Sequence, residues 1–288
     1  MFLPCSDLGN SSSIFVNNIS ALLYFFNSIA ACPALKRNKG DVNSLLFLVA
    51  ACSKSSTTST TTTTTPIVSG TVPDVYKKIY GATSITSDGT YITIKSTGAP
   101  DHKSSYYATS NALYDNFSGA TFGGYNFAKN PNSIAEKSYI FKIPVAPKVA
   151  TNHAATPLGA IGVSLNGVPF FNQYAGPNQP LTGEIVSFDR YWGHPAPTGQ
   201  YHYHVEPLYL TTIKVTKSSL LGFLLDGFPV YGPEENGALV DNSKLDAYHG
   251  HTSVTTDFPS GIYHYHITNT DPYINGSGYY GTPGTVSQ

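Results

Sequence analysis

Gly199-Gln200-Tyr201-His202-Tyr203-His204-Val205 and Gly261-Ile262-Tyr263-His264-Tyr265-His266-Ile267 are the two stretches on which the fold of this chain turns. Both alternate with a period of two, the pattern of a strand whose successive side chains point to opposite faces. Tyr201, Tyr203 and Val205 share one face, matched by Tyr263, Tyr265 and Ile267, and these apolar sets belong against a core. His202 and His204 point the other way with Gln200 and Glu206, as His264 and His266 do with Thr268.

Two further strings precede each strand in the same order. Gly162-Val163-Ser164-Leu165-Asn166-Gly167-Val168-Pro169-Phe170-Phe171 matches Gly222-Phe223-Leu224-Leu225-Asp226-Gly227-Phe228-Pro229-Val230-Tyr231. Phe188-Asp189-Arg190-Tyr191-Trp192-Gly193-His194 matches Leu245-Asp246-Ala247-Tyr248-His249-Gly250-His251. Three blocks recurring in order, about 60 residues apart, predict an internal duplication with half-repeats 162–206 and 222–268. Asn166-Gly167 and Asp226-Gly227 predict two-residue hairpin turns with positive φ at both central positions. Pro169 and Pro229 then predict that the outgoing strands lie at a sheet edge. This block reads as architecture. A ligand role for Asp226 has Asn166 at the matched place against it.

Outside the repeat the signals are also β. Ser87-Asp88-Gly89-Thr90 is a hairpin turn, Tyr91 to Lys95 alternates after it, and Tyr139 to Val145 is a further strand. No long segment has a period of 3.6. With 26 glycines, 20 prolines and 21 tyrosines, short strands joined by many turns fit better than helices. The expectation is one mainly β, antiparallel domain over 69–288 with few helices.

Hydrophobic residues make up 41% of the 288, enough for a substantial core, and charged residues only 11%, below half the usual share. The formal net charge is -1 and no long basic run occurs, which argues against nucleic acid as a partner. No phosphate loop of the Gly-x-x-x-x-Gly-Lys-Ser/Thr kind appears, and no nucleotide cofactor is expected. A Gly-x-Ser-x-Gly nucleophile elbow is also missing.

The three cysteines, Cys5, Cys32 and Cys52, all lie in the first fifth of the chain. Lys36, Arg37 and Lys39, then the apolar run Leu45 to Ala51, read as a short export signal ending at Cys52. Val49-Ala50-Ala51-Cys52 resembles a bacterial lipobox, which makes Cys52 the candidate lipidated residue; the competing reading is a buried apolar segment with a chance cysteine. Ile29-Ala30-Ala31-Cys32 is a second such string, without a basic residue before it. Residues 1–34 read as sequence upstream of the true start. Met1 is the sole methionine, so a later start, for example at Leu35, requires a non-AUG codon. Residues 1–52 are thus leader. Ser53 to Thr65, ended by Pro66, is a Ser/Thr run that cannot bury apolar surface, and 53–68 is a solvated tether. The localisation expected is the cell envelope, membrane-anchored through lipid and facing the periplasm or the exterior.

The histidine faces carry the chemistry. Two imidazoles about 7 Å apart along a strand can converge on one ion, and imidazole suits zinc and copper(II). With no cysteine or methionine after Cys52, the donors are nitrogen and oxygen. His194 and His251, each after a glycine, offer a third ligand. His249 lies opposite Trp192 and reads as incidental. The competing reading is a hydrogen-bonded polar cluster bridging two layers.

The Tyr-His-Tyr-His strings resemble the YHYH-domain family. Other matching strings are Gly98-Ala99-Pro100-Asp101-His102, Asp226 to Pro233 and Asp271-Pro272-Tyr273-Ile274. The resemblance spans roughly 90–285. It implies an exported protein, adds His102 as a candidate ligand with weaker support for His153, and implies no activity. Ser277 stands where members often carry cysteine. Four functions follow: a metal-binding envelope protein, a metal-dependent hydrolytic or oxidative enzyme with Asp189, Asp246 or Asp101 as general base, a structural protein with a histidine core, and a non-metal module for ligands such as glycans.

Overall fold

The computed structural model describes residues 65–288; Cys52, the leader and most of the tether fall outside them. In chain order the strands are β1 (Ile67–Ser69), β2 (Ser84–Ser87), β3 (Tyr91–Ser96), β4 (Tyr139–Pro144), β5 (Gly162–Ser164) and β6 (Pro169–Phe170). Next come β7 (Tyr174–Ala175), β8 (Gln179–Pro180), β9 (Gly193–Pro195), β10 (Tyr201–Tyr203), β11 (Leu220–Leu224) and β12 (Pro229–Tyr231). The last are β13 (Glu234–Glu235), β14 (Ala238–Leu239), β15 (Gly250–Ser253), β16 (Ile262–His266) and β17 (Thr285–Ser287). One four-residue α-helix, Asp74–Lys77, and a few short 3-10 and π turns complete the described residues. The architecture is mainly β with few helices. Among the described residues no helix is long and apolar enough to cross a membrane.

A five-stranded sheet has the order β1-β2-β3-β4-β17 and an eight-stranded sheet the order β15-β16-β12-β11-β5-β6-β10-β9. The larger sheet reads the same from either end. Its middle pair, β5 and β11, is antiparallel. Outward from it, β6 pairs parallel with β10 and β12 parallel with β16, and each outermost strand is antiparallel to its neighbour. The pairing is therefore mixed, where sequence predicted an antiparallel sheet. The prediction of edge strands also fails: β6 and β12 each have two neighbours. The prolines are tolerated because each opens its strand, and the parallel pairing starts one residue later, at Phe170↔Tyr203 and Val230↔Tyr265.

The hairpin turns differ in type from the expectation. Gly167 (φ 79°) and Gly227 (φ 87°) are left-handed, but Asn166 and Asp226 are not. Gly167 N–H donates to Ser164 O and Ser164 N–H to Val168 O, both at 2.9 Å, the three-residue loop in which a left-handed glycine follows a type I turn. Gly227 and Leu224 repeat the pattern. A β-carbon on Gly167 would lie 2.5 Å from Gly81 O, and one on Gly227 2.8 Å from Pro144 O. Both turns thus press on the residues of the smaller sheet and its approach. Ile92, Ile94, Phe141 and Ile143 of that sheet join Val163, Phe170, Phe223 and Val230 of the larger one in a single core. Strands β10, β11 and β12 are buried on both faces, so their histidines and tyrosines alike are withdrawn from water.

Candidate metal centres

On one face of β10 and β16 the four tyrosines hold the preceding turns. Tyr201 OH donates to both carboxylate oxygens of Asp189 at 3.0 Å, and Tyr263 OH donates to Asp246 at 2.8 Å. Tyr203 OH accepts from Asn166 Nδ2 at 3.1 Å, and Tyr265 OH donates to Asp226 at 2.5 Å. Each tyrosine thereby ties the last block of its half-repeat to one of the two earlier blocks. Asp189 and Asp246 also accept backbone N–H bonds from their own turns. These aspartates are turn anchors, so the sequence-based choice of them as general bases is not supported by their placement. Asp101, the third choice, accepts from Asn166 and pairs with Lys214.

His102 belongs to this tyrosine side. Its Nδ1 donates to Lys103 O and its Nε2 accepts from Tyr203 OH, both at 2.9 Å. With both nitrogens used, it stands apart from the other candidate ligands. His153 donates to Tyr279 O and stacks on Tyr248. His249 is buried against Thr268.

On the opposite face the remaining six histidines gather into two groups rather than one. His194, His202 and His204 form the first, and His251, His264, His266 and Glu235 the second; within each, the candidate donor atoms all lie within 4.8 Å of one another. The pairing register builds both, because β9 sets His194 opposite His202 and β15 sets His251 opposite His264.

Each strand histidine commits one ring nitrogen to a backbone carbonyl. His202 Nδ1 meets Gln200 O at 2.9 Å, His204 Nδ1 meets Asn172 O at 2.5 Å, His264 Nδ1 meets Ile262 O at 3.0 Å, and His266 Nδ1 meets Gly232 O at 2.9 Å. A carbonyl only accepts, so the proton of the neutral ring is on Nδ1 and the lone pair on Nε2. His194 follows the same logic: Ser187 Oγ donates to Glu184 O and accepts from His194 Nδ1 at 2.7 Å. His194 Nε2 is buried without a partner.

The lone pairs face one another. His202 Nε2 and His204 Nε2 are 2.9 Å apart and His264 and His266 3.1 Å; His251 Nε2, whose ring has no such carbonyl partner, lies 3.2 Å from His264 Nε2. Protonation does not resolve this. Burial, reinforced by the neighbouring imidazoles, holds His194 and His202 well below the usual imidazole range. Burial also brings His204 and His264 down to about 4. Two nitrogens at ~2.0–2.1 Å from a tetrahedral ion stand about 3.3 Å apart, close to these separations. The donor sets could each hold a metal ion, with carbonyl-oriented rings of the kind that support metal ligation.

Sequence reading missed the carboxylates. Glu184 Oε2 lies 3.5 Å from His194 Nε2 and 3.9 Å from His204 Nε2. Glu235 Oε1 lies 3.4 Å from His251 Nε2 and 4.0 Å from His264 Nε2. Burial pushes Glu184 up. Burial pushes Glu235 up too, but the Ser253 hydroxyl and the three imidazoles outweigh it and leave the carboxyl below its ordinary value. Counting from the matched blocks, Glu235 falls opposite Ala175 and Glu184 opposite Asp241. The repeat therefore gave no signal for either.

A family model described as YHYH protein matches residues 140–238 and 234–278. That span contains both groups and both glutamates, and excludes His102. No curated protein and no solved structure matches the chain.

Proposed function

The chain is a YHYH-domain protein, and we propose that it is an exported, lipid-anchored envelope protein whose domain binds two transition-metal ions, zinc or copper(II). The observation that carries the reading is the set of imidazoles whose protons are fixed on backbone carbonyls and whose lone pairs converge. Such an arrangement is repulsive when empty of a cation and is relieved by one. Nitrogen and oxygen donors alone exclude a soft copper(I) carrier or a blue-copper centre. Export and anchoring rest on the sequence from Lys36 to Cys52.

Elemental analysis of the full chain purified without an affinity tag tests the metal. Two ions per chain are expected, falling to one in His202→Ala/His204→Ala and to one in His264→Ala/His266→Ala. A metal-free wild type, with both variants unfolded, would make the histidines structural struts. For the anchor, Cys52→Ser is expected to leave the membrane fraction, and retention there would count against lipidation.

A further inference from the structure

The two groups share three histidines by register but differ in what completes them. In the second, Glu235 lies within the same 4.8 Å set as all three histidines, giving four protein donors. In the first, the set stops at three; Glu184 reaches towards His194 and His204 only, from 3.5 and 3.9 Å. Four protein donors close a tetrahedral ion, whereas three leave one position for water or an outside ligand. Exposure runs the opposite way, since His251 and Glu235 are partly open to solvent and His194, His202 and His204 are buried. The free position of the first ion would face the space beside these three histidines.

That space is a cavity of about 530 Å³ reaching all three histidines, with Phe171, Val186, Pro195, Ala196 and Pro197 on its walls. Its size and lining are those of a small-molecule pocket. The cavity of about 720 Å³ beside the second group is the more polar of the two, with Thr216, Ser219, Thr255, Asp257 and Lys78 among Leu165, Val215 and Val254. Phe171, stacked 3.9 Å over His202, has Tyr231 at its matched place in the second half, where the hydroxyl bonds Thr255 and Asp257.

Resting on the metal reading, we propose that the first centre binds an outside ligand, a compact apolar molecule whose oxygen donor takes the fourth position on the ion, while the second centre is closed by Glu235. Glu184, beside the ion and outside its donor set, is placed to accept a hydrogen bond from that ligand or from bound water.

Cobalt(II) serves as the probe, because its visible spectrum reports the ligands on the ion. The full chain is loaded with cobalt and titrated with benzoate and with acetate. Benzoate is expected to shift the spectrum of one of the two equivalents, with half-saturation at least tenfold lower than for acetate. The response should persist in His264→Ala/His266→Ala and vanish in His202→Ala/His204→Ala. Should either double variant fail to fold, Glu235→Gln and Glu184→Gln decide: the first weakens cobalt binding at its centre and the second leaves both equivalents bound. Equal response to benzoate and acetate, response of the second centre, or cobalt loss in Glu184→Gln matching that in Glu235→Gln would overturn the inference alone. A chain that takes up no cobalt overturns the metal reading and this inference with it.

Discussion

His202 and His204 bring their Nε2 atoms to 2.9 Å, each with its proton committed to a carbonyl on the far side of the ring. Free imidazoles take up protons near ~6.5, but burial lowers His204 and its counterpart His264 to about 4. A depressed histidine favours the neutral folded form; its contribution is complete above the unfolded value and is lost as pH falls towards the folded one. Metal release on acidification is therefore expected below pH ~5 and not across the ordinary imidazole range. Stepwise dialysis with elemental analysis checks this, and a protein already stripped at pH 6 would contradict it.

Removing a tyrosine hydroxyl should cost stability and spare the metal. Asp189 is fully buried and both its oxygens accept from Tyr201. Tyr201→Phe strips a buried carboxylate of a donor, a loss of about 1–3 kcal/mol. Tyr263→Phe should cost less, because Asp246 is exposed. Urea denaturation measures both; equal losses, or an altered metal content, would refute the division of the strand into a tyrosine side and a histidine side.

Asp226 gives a pH dependence of opposite sign. Burial raises it to about 6, even though Tyr265, Gly281 and Phe228 donate to it. The stability of its protonated form is complete below the ordinary carboxylate value and is lost as pH rises through about 6. Asp226→Asn places there the residue that the first half already has, Asn166. It is expected to abolish the loss of stability between pH 4 and pH 7.5, at a cost of about 1–3 kcal/mol because Gly281 and Phe228 N–H bond different oxygens and the amide can accept from only one of them. A variant whose stability still falls between pH 4 and pH 7.5 as steeply as that of the wild type would show that Asp226 does not carry the dependence.

The turn glycines separate conformational from steric cost. Gly89 (φ 87°) has open space where a β-carbon would stand, whereas Gly167 (φ 79°) has Gly81 O at 2.5 Å. Gly89→Ala should lose about 1 kcal/mol from its backbone alone. Gly167→Ala should lose more, because the turn must lift off Gly81. Equal melting temperatures for the two variants would argue against the close approach.

The strand pattern, the histidine faces and three pairs of matched blocks were legible because each is local or repeated. Period-two alternation placed Tyr201 and His202 on opposite sides without any tertiary information. What escaped is set by pairing. Pro169 looks like an edge residue until the one-residue delay before Phe170 meets Tyr203 is known. Glu184 and Glu235 reach the histidines from positions the repeat does not relate, so neither motif nor spacing marks them. His102 sits in a family-like string, yet its partner Tyr203 was assigned only to a core.

The strand order has a mechanical consequence. His194 and His251 stand on β9 and β15, the two free margins of the larger sheet, and each faces a histidine one strand inward. An ion in either centre would act as a rivet through the last seam of the sheet. Chelation would then fray the molecule from its two rims inward, exposing unpaired backbone to strand addition by other chains. The native sheet would be guarded against self-association by cations as well as by Pro195, the proline on its β9 margin.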